Sequence, residues 1–230
     1  MNSKVGSREW IRPGVLGVAG IILALLMGFS TLFVWAGLVG ASRSASEGGL
    51  LLGPAWDRSL LDEGDVVFRR GRDIMANLVL AHAESAQFSH VGVVLRGESG
   101  WVVVHAVPDN VSLEGTVRLE DLDAFLSEER ATDFGFYRVV GVDTPRMERI
   151  LEFLRSQVGK PFDSTFSIER DDSFYCSELV VKAFEQAGVG LAVGVPRTRV
   201  MLVAEPVFHP DHLRLSPLLR RVESRRGGVY

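Results

Sequence analysis

The longest pattern in the chain is an apolar run near its start. Residues 13 to 42 carry no charge, and Val15 to Val39 reads VLGVAGIILALLMGFSTLFVWAGLV. About 20 apolar residues suffice to cross a bilayer. A run with no polar face has no reason to lie on a protein surface, so it predicts a transmembrane anchor over residues 15–41. Lys4, Arg8 and Arg12 precede the run against Glu9 alone, and Arg43 follows it. The positive excess on the leading side places residues 1–14 in the cytoplasm and the rest beyond a single crossing of the inner (cytoplasmic) membrane. Trp35 suits the trailing interface. A cleaved signal peptide ending near Val39-Gly40-Ala41 is the competing reading, but its apolar region usually spans about 7–15 residues. The length of this run favours a retained anchor. Ser42 to Pro54 is rich in serine and glycine. It reads as a tether over 42–55, leaving 56–230 as the folded domain.

Within that domain short apolar runs alternate with helical periods. Gly64-Asp65 marks a turn before a strand at Val66 to Phe68. Asp73 to Gln87 predicts a helix with Ile74, Leu78, Ala81 and Val79 inward. His90 to Leu95 and the valine-rich Trp101 to Ala106 predict strands around a turn at Arg96 to Ser99. Val111 to Arg118 adds another strand, and Leu119, Leu122, Phe125 and Leu126 a short helix. Phe134 to Val140 is a further strand. Thr144-Pro145 opens a helix that Gly159 closes, with Met147, Ile150, Leu151, Leu154 and Val158 on its apolar face. Asp171, Asp172 and Ser173 are capping residues ahead of a helix carrying Cys176, Leu179, Val180, Ala183 and Phe184, stopped by Gly188. The fold class is α+β, a mostly antiparallel sheet packed on helices.

Composition narrows the chemistry. Net charge is −4 with both signs scattered, which lacks the basic stripe of a nucleic-acid binder. The single cysteine excludes an internal disulfide and a Cys-rich zinc site. His209-Pro210-Asp211-His212 has two histidines, but the proline spoils the helical spacing of zinc motifs. No metal or other cofactor is expected. Glu120-Asp121 and Asp171-Asp172 read as solvated faces and caps, and no phosphate-binding glycine loop is present.

Cys176 is placed in the first turn of its helix, where free N–H groups and the helix dipole favour an anion. A thiol there, next to a histidine, falls below its usual pKa of about 8.5. The alternative is a small buried apolar residue. A thiol nucleophile needs a base, and the base needs an orienting group. If Gly97-Glu98 forms a two-residue turn, His90 lies directly opposite His105. Both rings then project from one sheet face about 5 Å apart, one as base and one as orienter. Tyr175 is a candidate second oxyanion donor or substrate contact, and equally a packed aromatic.

The ordered set Gly64-Asp65-Val66-Val67-Phe68, Ser89-His90-Val91-Gly92-Val93-Val94, the strand ending at His105, Gly159-Lys160-Pro161-Phe162-Asp163 and Phe174-Tyr175-Cys176-Ser177-Glu178-Leu179 resembles the YiiX/YebB-like group of permuted papain-like cysteine hydrolases. That group is distantly related to NlpC-type cell-wall peptidases and lecithin:retinol acyltransferase-like enzymes. The resemblance spans about residues 60–217, including Pro210-Asp211-His212-Leu213 and Ser216-Pro217. It implies a circularly permuted papain-like fold with Cys176 as nucleophile and His90 as base. His105 falls at the third polar position, where the group often carries Glu; histidine brings no negative charge there. The activity implied is acyl transfer from an amide, ester or thioester. An envelope amidase or peptidase comes first. A lipid-directed thioesterase or acyltransferase, with Phe162, Phe166 and Phe174 lining an acyl groove, comes second. A non-catalytic binding protein is third. The expected partner is a small peptide, amide or lipid substrate.

Overall fold

The computed structural model describes residues 57–109, 114–200 and 203–222. The predicted anchor over 15–41 and its flanks, 1–14 and 42–55, lie outside the described residues, as does the start of the strand expected at Val111. Among the described residues no helix is long and apolar enough to cross a membrane.

Six strands form one antiparallel sheet: β1 (Val66–Gly71), β2 (His90–Arg96), β3 (Trp101–Pro108), β4 (Gly115–Asp121), β5 (Ala131–Val139) and β6 (Leu219–Arg221). Their order across the sheet is β4-β3-β2-β1-β5-β6. Five helices accompany them among the described residues: α1 (Ile74–Ala81), α2 (Leu122–Phe125), α3 (Thr144–Gln157), α4 (Cys176–Glu185) and α5 (Pro210–Leu213). Strand side chains alternate between faces. Val66, Phe68, Val91, Val93, Val104 and Ala106 pack under α3 and α4 with Ile150, Leu154, Leu179, Val180 and Phe184. Val67, Val94, Val103 and Phe136 point the other way, onto Leu61, Leu122, Phe125 and Leu126. Both faces of the central strands are covered, which is why they read as unbroken apolar runs.

Several sequence expectations are corrected. α1 stops at Ala81, not Gln87, because His82 caps it through Nδ1 to Leu78 O at 2.7 Å and Ser85 turns with φ 58°. Its inward face is Ala76; Ile74 is 85% and Leu78 50% exposed. The helix expected from Leu119 begins at Leu122, since Leu119 and Glu120 extend β4 opposite Val104 and Val103. The β2–β3 turn is centred on Glu98-Ser99, not on Gly97-Glu98: Arg96 pairs with Trp101 and Gly97 N–H donates to Gly100 O at 2.7 Å. Finally, β6 was not expected.

The β2–β3 pairing runs only from Arg96–Trp101 to Val93–Val104. Gly92 sits at the point where it stops. A Cβ there would lie 2.5 Å from Val103 Cγ1, 2.9 Å from Val104 O and 3.1 Å from His105 Cβ, so only glycine lets β3 cross this close. Past it, β2 keeps β1 as its partner through His90–Arg69 while β3 continues along β4. The strands part, and the start of α4 meets the sheet at this opening.

Candidate active site

Cys176 is the first residue of α4, and the acids expected to cap that helix do not. Tyr175 is the N-cap, and its N–H donates to the Glu178 carboxylate at 3.2 Å. Asp171 and Asp172 lie on the preceding loop, paired with Lys182 and Arg170. The loop is held by the Lys160-Pro161-Phe162-Asp163 motif. Phe174 N–H donates to Pro161 O at 3.1 Å and Asp163 N–H to Phe174 O at 3.0 Å, while Phe162 N–H reaches Gly115 O at 2.8 Å. This motif clips the entry of α4 to the end of β4 and so fixes where the cysteine stands.

The thiol meets the backbone N–H of Val91 and lies 3.8 Å from Ser177 Oγ. Burial pushes its pKa up, and these contacts only partly offset it. The expected depression is therefore corrected: the resting group is a neutral thiol. The desolvation cost of a sulfur wedged between helix and sheet outweighs the single helix end that would favour its charge.

His90 and His105 are not directly opposite. Moving the turn centre by one residue shifts the register by two, which preserves the face where a shift of one would have reversed it. The rings meet at 2.8 Å, His90 Nε2 to His105 Nδ1, nearly perpendicular at 84°. Both stand against Phe125.

Behind them lies a residue that sequence reasoning set aside. Glu120 Oε2 is 3.2 Å from His105 Nε2, close but off the axis of the ring N–H. The carboxylate is only 11% exposed and is also paired with Arg130, with Arg118 at 3.8 Å. It is not a solvated face. The available signal was the alternation Arg118-x-Glu120: in an antiparallel ladder with β3 these land opposite His105 and Val103, on the face that carries both rings.

The protonation pattern follows. His105 donates Nε2–H toward Glu120 and accepts at Nδ1 from His90 Nε2–H. His90 Nδ1 is the ring nitrogen not used in that pair, and His90 shares a pocket wall with Cys176. Burial, then the neighbouring Arg69 and His105, hold His90 well below the ordinary histidine range. Burial lowers His105 to about 4, although Glu120 pulls the other way. Burial raises the Glu120 carboxyl, but the bond to His105 and the charges of His105, Arg130 and Arg118 outweigh it and bring it to about 2. At neutral pH the row therefore reads imidazole, imidazole, carboxylate, and Cys176 shares a pocket wall with its first member.

The other candidates are placed as follows. Tyr175 is 2% exposed, and its hydroxyl accepts from Phe208 N–H at 3.2 Å. Burial raises its pKa, and its ring packs on Phe166. The hydroxyl is thus committed to holding Phe208, and the ring to packing. His209 spends Nδ1 on Asp211 N–H and Nε2 on Val79 O, and His212 Nδ1 lies 3.0 Å from Thr198 Oγ1. Among the described residues no group of three or more His, Cys, Asp or Glu is gathered to hold a metal ion.

The small pocket at Cys176 and His90, about 90 Å³, continues in two directions. Toward α1 and α5 it opens on an apolar cavity of about 260 Å³ lined by Met75, Val79, Phe166, Val207 and Phe208, with Cys176 in its wall. Toward β4 it meets a polar cavity of about 330 Å³ lined by Arg69, Asp73, Arg118, Glu129 and Arg130. Phe162 and Phe166 border the pocket at Cys176 and His90. Phe174, expected to line an acyl groove, is 1% exposed and packs on Phe153.

A crystal structure described as metalloprotein yiiX from Escherichia coli O157:H7 superposes with a TM-score of 0.56 at 21% identity, covering 70% of this chain and 96% of that one. No curated protein matches the sequence significantly. Residues 60–204 match the model of the permuted papain-like amidases. That segment takes in β1, both histidine strands, Glu120 and the cysteine helix, and on this match the chain belongs to the permuted papain-like amidase family of YaeF and YiiX, C92.

Proposed function

We propose that this protein is a cysteine amidase that works through an acyl-enzyme. The observation that carries the reading is the row His90–His105–Glu120 ending in the pocket that Cys176 also lines. Cys176 attacks the amide carbonyl as His90 Nδ1 takes the thiol proton. Because the resting pair is neutral, proton removal accompanies attack rather than preceding it. The imidazolium that forms at His90 is shared through His105 toward Glu120, which supplies the negative charge that histidine at the third position lacks. The Cys176 N–H at the start of α4 faces the developing oxyanion. The C–N bond then breaks, His90 protonates the leaving amine, and water, deprotonated by His90, releases the acyl group from sulfur.

The amide is offered either by cell-envelope peptides or by a lipid-like acyl compound. The apolar cavity beside Cys176 favours an apolar group on the acyl side. The anchor over residues 15–41 would hold the domain at the outer face of the membrane, near both substrates. The test is hydrolysis of peptidoglycan fragments and of phospholipid extracts by the purified protein. Cys176→Ala is expected to abolish turnover, and His105→Ala to leave a residue of it. Undiminished cleavage by Cys176→Ala would sink the proposal.

A further inference from the structure

Arg69 poses a problem that the reaction at Cys176 does not solve. It is 6% exposed and borders both the catalytic pocket and the polar cavity. Its backbone pairs with His90. One N–H donates to Phe125 O at 2.7 Å, and the guanidinium lies 4.2 Å over the Phe125 ring. Its Nε is buried with no acceptor, and no carboxylate lies within ion-pairing distance of it among the described residues. Burial lowers its pKa only to about 10, so it remains a cation at neutral pH. A buried charge without an ion-pair partner is costly, and Glu120 and Asp73 offset this one only through space. This one also makes the neighbouring His90 less basic, which works against the chemistry.

Three nearby acids are otherwise engaged, and a fourth, Asp109, lines the polar cavity without an ion pair to Arg69 or Arg118 among the described residues. Glu120 is held by Arg130 and Arg118. Asp73 caps α1 by accepting Ala76 N–H at 2.7 Å. The Glu129 carboxyl is held by its own backbone and by Ser127. Arg118 Nε is likewise buried without an acceptor. Two guanidinium groups thus line one cavity, each with a buried Nε that lacks an acceptor, on the side of the catalytic pocket away from the apolar cavity.

We propose that Arg69, with Arg118 at the rim, binds a carboxylate carried by the amine half of the substrate amide. The inference rests on the amidase reading and adds the substrate class: an amide joining an apolar acyl group to an amine that bears a single negative charge. Cys176 lines the apolar cavity but not the polar one, so the acyl half lies toward Phe166 and the leaving amine toward Arg69. His90, paired to Arg69, stands where that amine must be protonated. A bound carboxylate also offsets the Arg69 charge and restores basicity to His90 while substrate is present. The acids at the cavity wall make a single charge a better fit than the double charge of a phosphate.

The experiment compares three synthetic amides on the full-length protein. They share an octanoyl group, and their amine halves are glycine, its neutral carboxamide, and aminomethylphosphonate. The glycine compound is expected to show a kcat/KM at least about tenfold above the carboxamide, mostly in KM and shrinking with added salt, with the phosphonate between them. Arg118→Gln is expected to narrow the gap between carboxylate and carboxamide, read as the ratio of the two kcat/KM values within the variant. Arg69→Lys keeps the charge but loses the fork, and is expected to narrow it further. Equal turnover of all three by the parent protein would overturn the inference and leave the amidase reading standing. So would a gap unchanged in both variants. Absence of hydrolysis of these amides and of envelope peptides, with the protein folded, would overturn both.

Discussion

In the proposed mechanism Glu120 touches no substrate and acts through His105, which makes it a positioning and charge-stabilising residue. Glu120→Gln keeps the shape but removes the charge that favours the protonated form of the histidines. The sign follows: without the carboxylate the imidazoles are less basic. The acid limb of kcat/KM should therefore move to lower pH, while kcat falls at least about tenfold because the imidazolium formed during attack is less stabilised. A purely structural role would lower activity without moving the limb. The parent protein's own acid limb should lie below the usual histidine value of about 6.5, since burial depresses His90. A second expectation concerns the thiol. With its pKa raised by burial, alkylation of Cys176 by iodoacetamide should keep accelerating past pH 9. A rate that levelled off below pH 7 would mean a resting thiolate–imidazolium pair instead.

At the scale of single elements, α4 carries a titrating group of its own. Glu178 is fully buried, and burial raises its pKa to about 7 although Lys182 at 3.1 Å and the Tyr175 N–H oppose the shift; Asp163 adds to it. The folded value exceeds the usual value of about 4.3, so between roughly pH 4.5 and 7 the folded state binds more protons than the unfolded one. Stability from this group is therefore greatest at the acid end and declines as pH rises to 7. Glu178→Gln retains an acceptor for Tyr175 N–H and should remove that decline. Urea unfolding at pH 5 and pH 7.5 should show the parent losing about 2–3 kcal/mol relative to the variant across the interval. Equal slopes would show that Glu178 is ionised throughout. The elements also show what a sequence can disclose. The strands and the cysteine helix were legible because alternation and a 3.6-residue period report burial directly. The hairpin was read two residues out of register because Gly97 and Gly100 both suit a turn, and only cross-strand packing chooses between them. The histidine pair survived that error because parity, not register, decides which face a side chain takes. Glu120 was misread because Glu120-Asp121 looks polar and terminal until β4 is laid along β3; its role exists only in the ladder. Ile74 and Leu78 were placed inward on periodicity alone, yet α1 buries only Ala76.

For the whole molecule, the question is what brings substrate to a pocket this small. The sequence places about 25 uncharged, mostly apolar residues ahead of a Ser/Gly tether. A Ser/Gly linker of some 14 residues spans about 20 Å on average, so a domain held in this way would work within a short distance of the bilayer surface. Such an arrangement would restrict its substrates to molecules embedded in the membrane or lying just above it, which would suit an apolar cavity beside a polar one. The expected outcome is that full-length protein sediments with membranes and resists carbonate extraction. Protease added to the outside of spheroplasts should digest the domain while leaving a short membrane-bound fragment. Deleting residues 15–41 should release the domain without altering its turnover of a soluble synthetic amide. It should slow cleavage of membrane-embedded substrates, because the tether acts by raising local concentration. Should the mature chain instead begin near Ser42 and fractionate as soluble, the apolar run is an export signal, and the pocket must find its substrate by affinity alone.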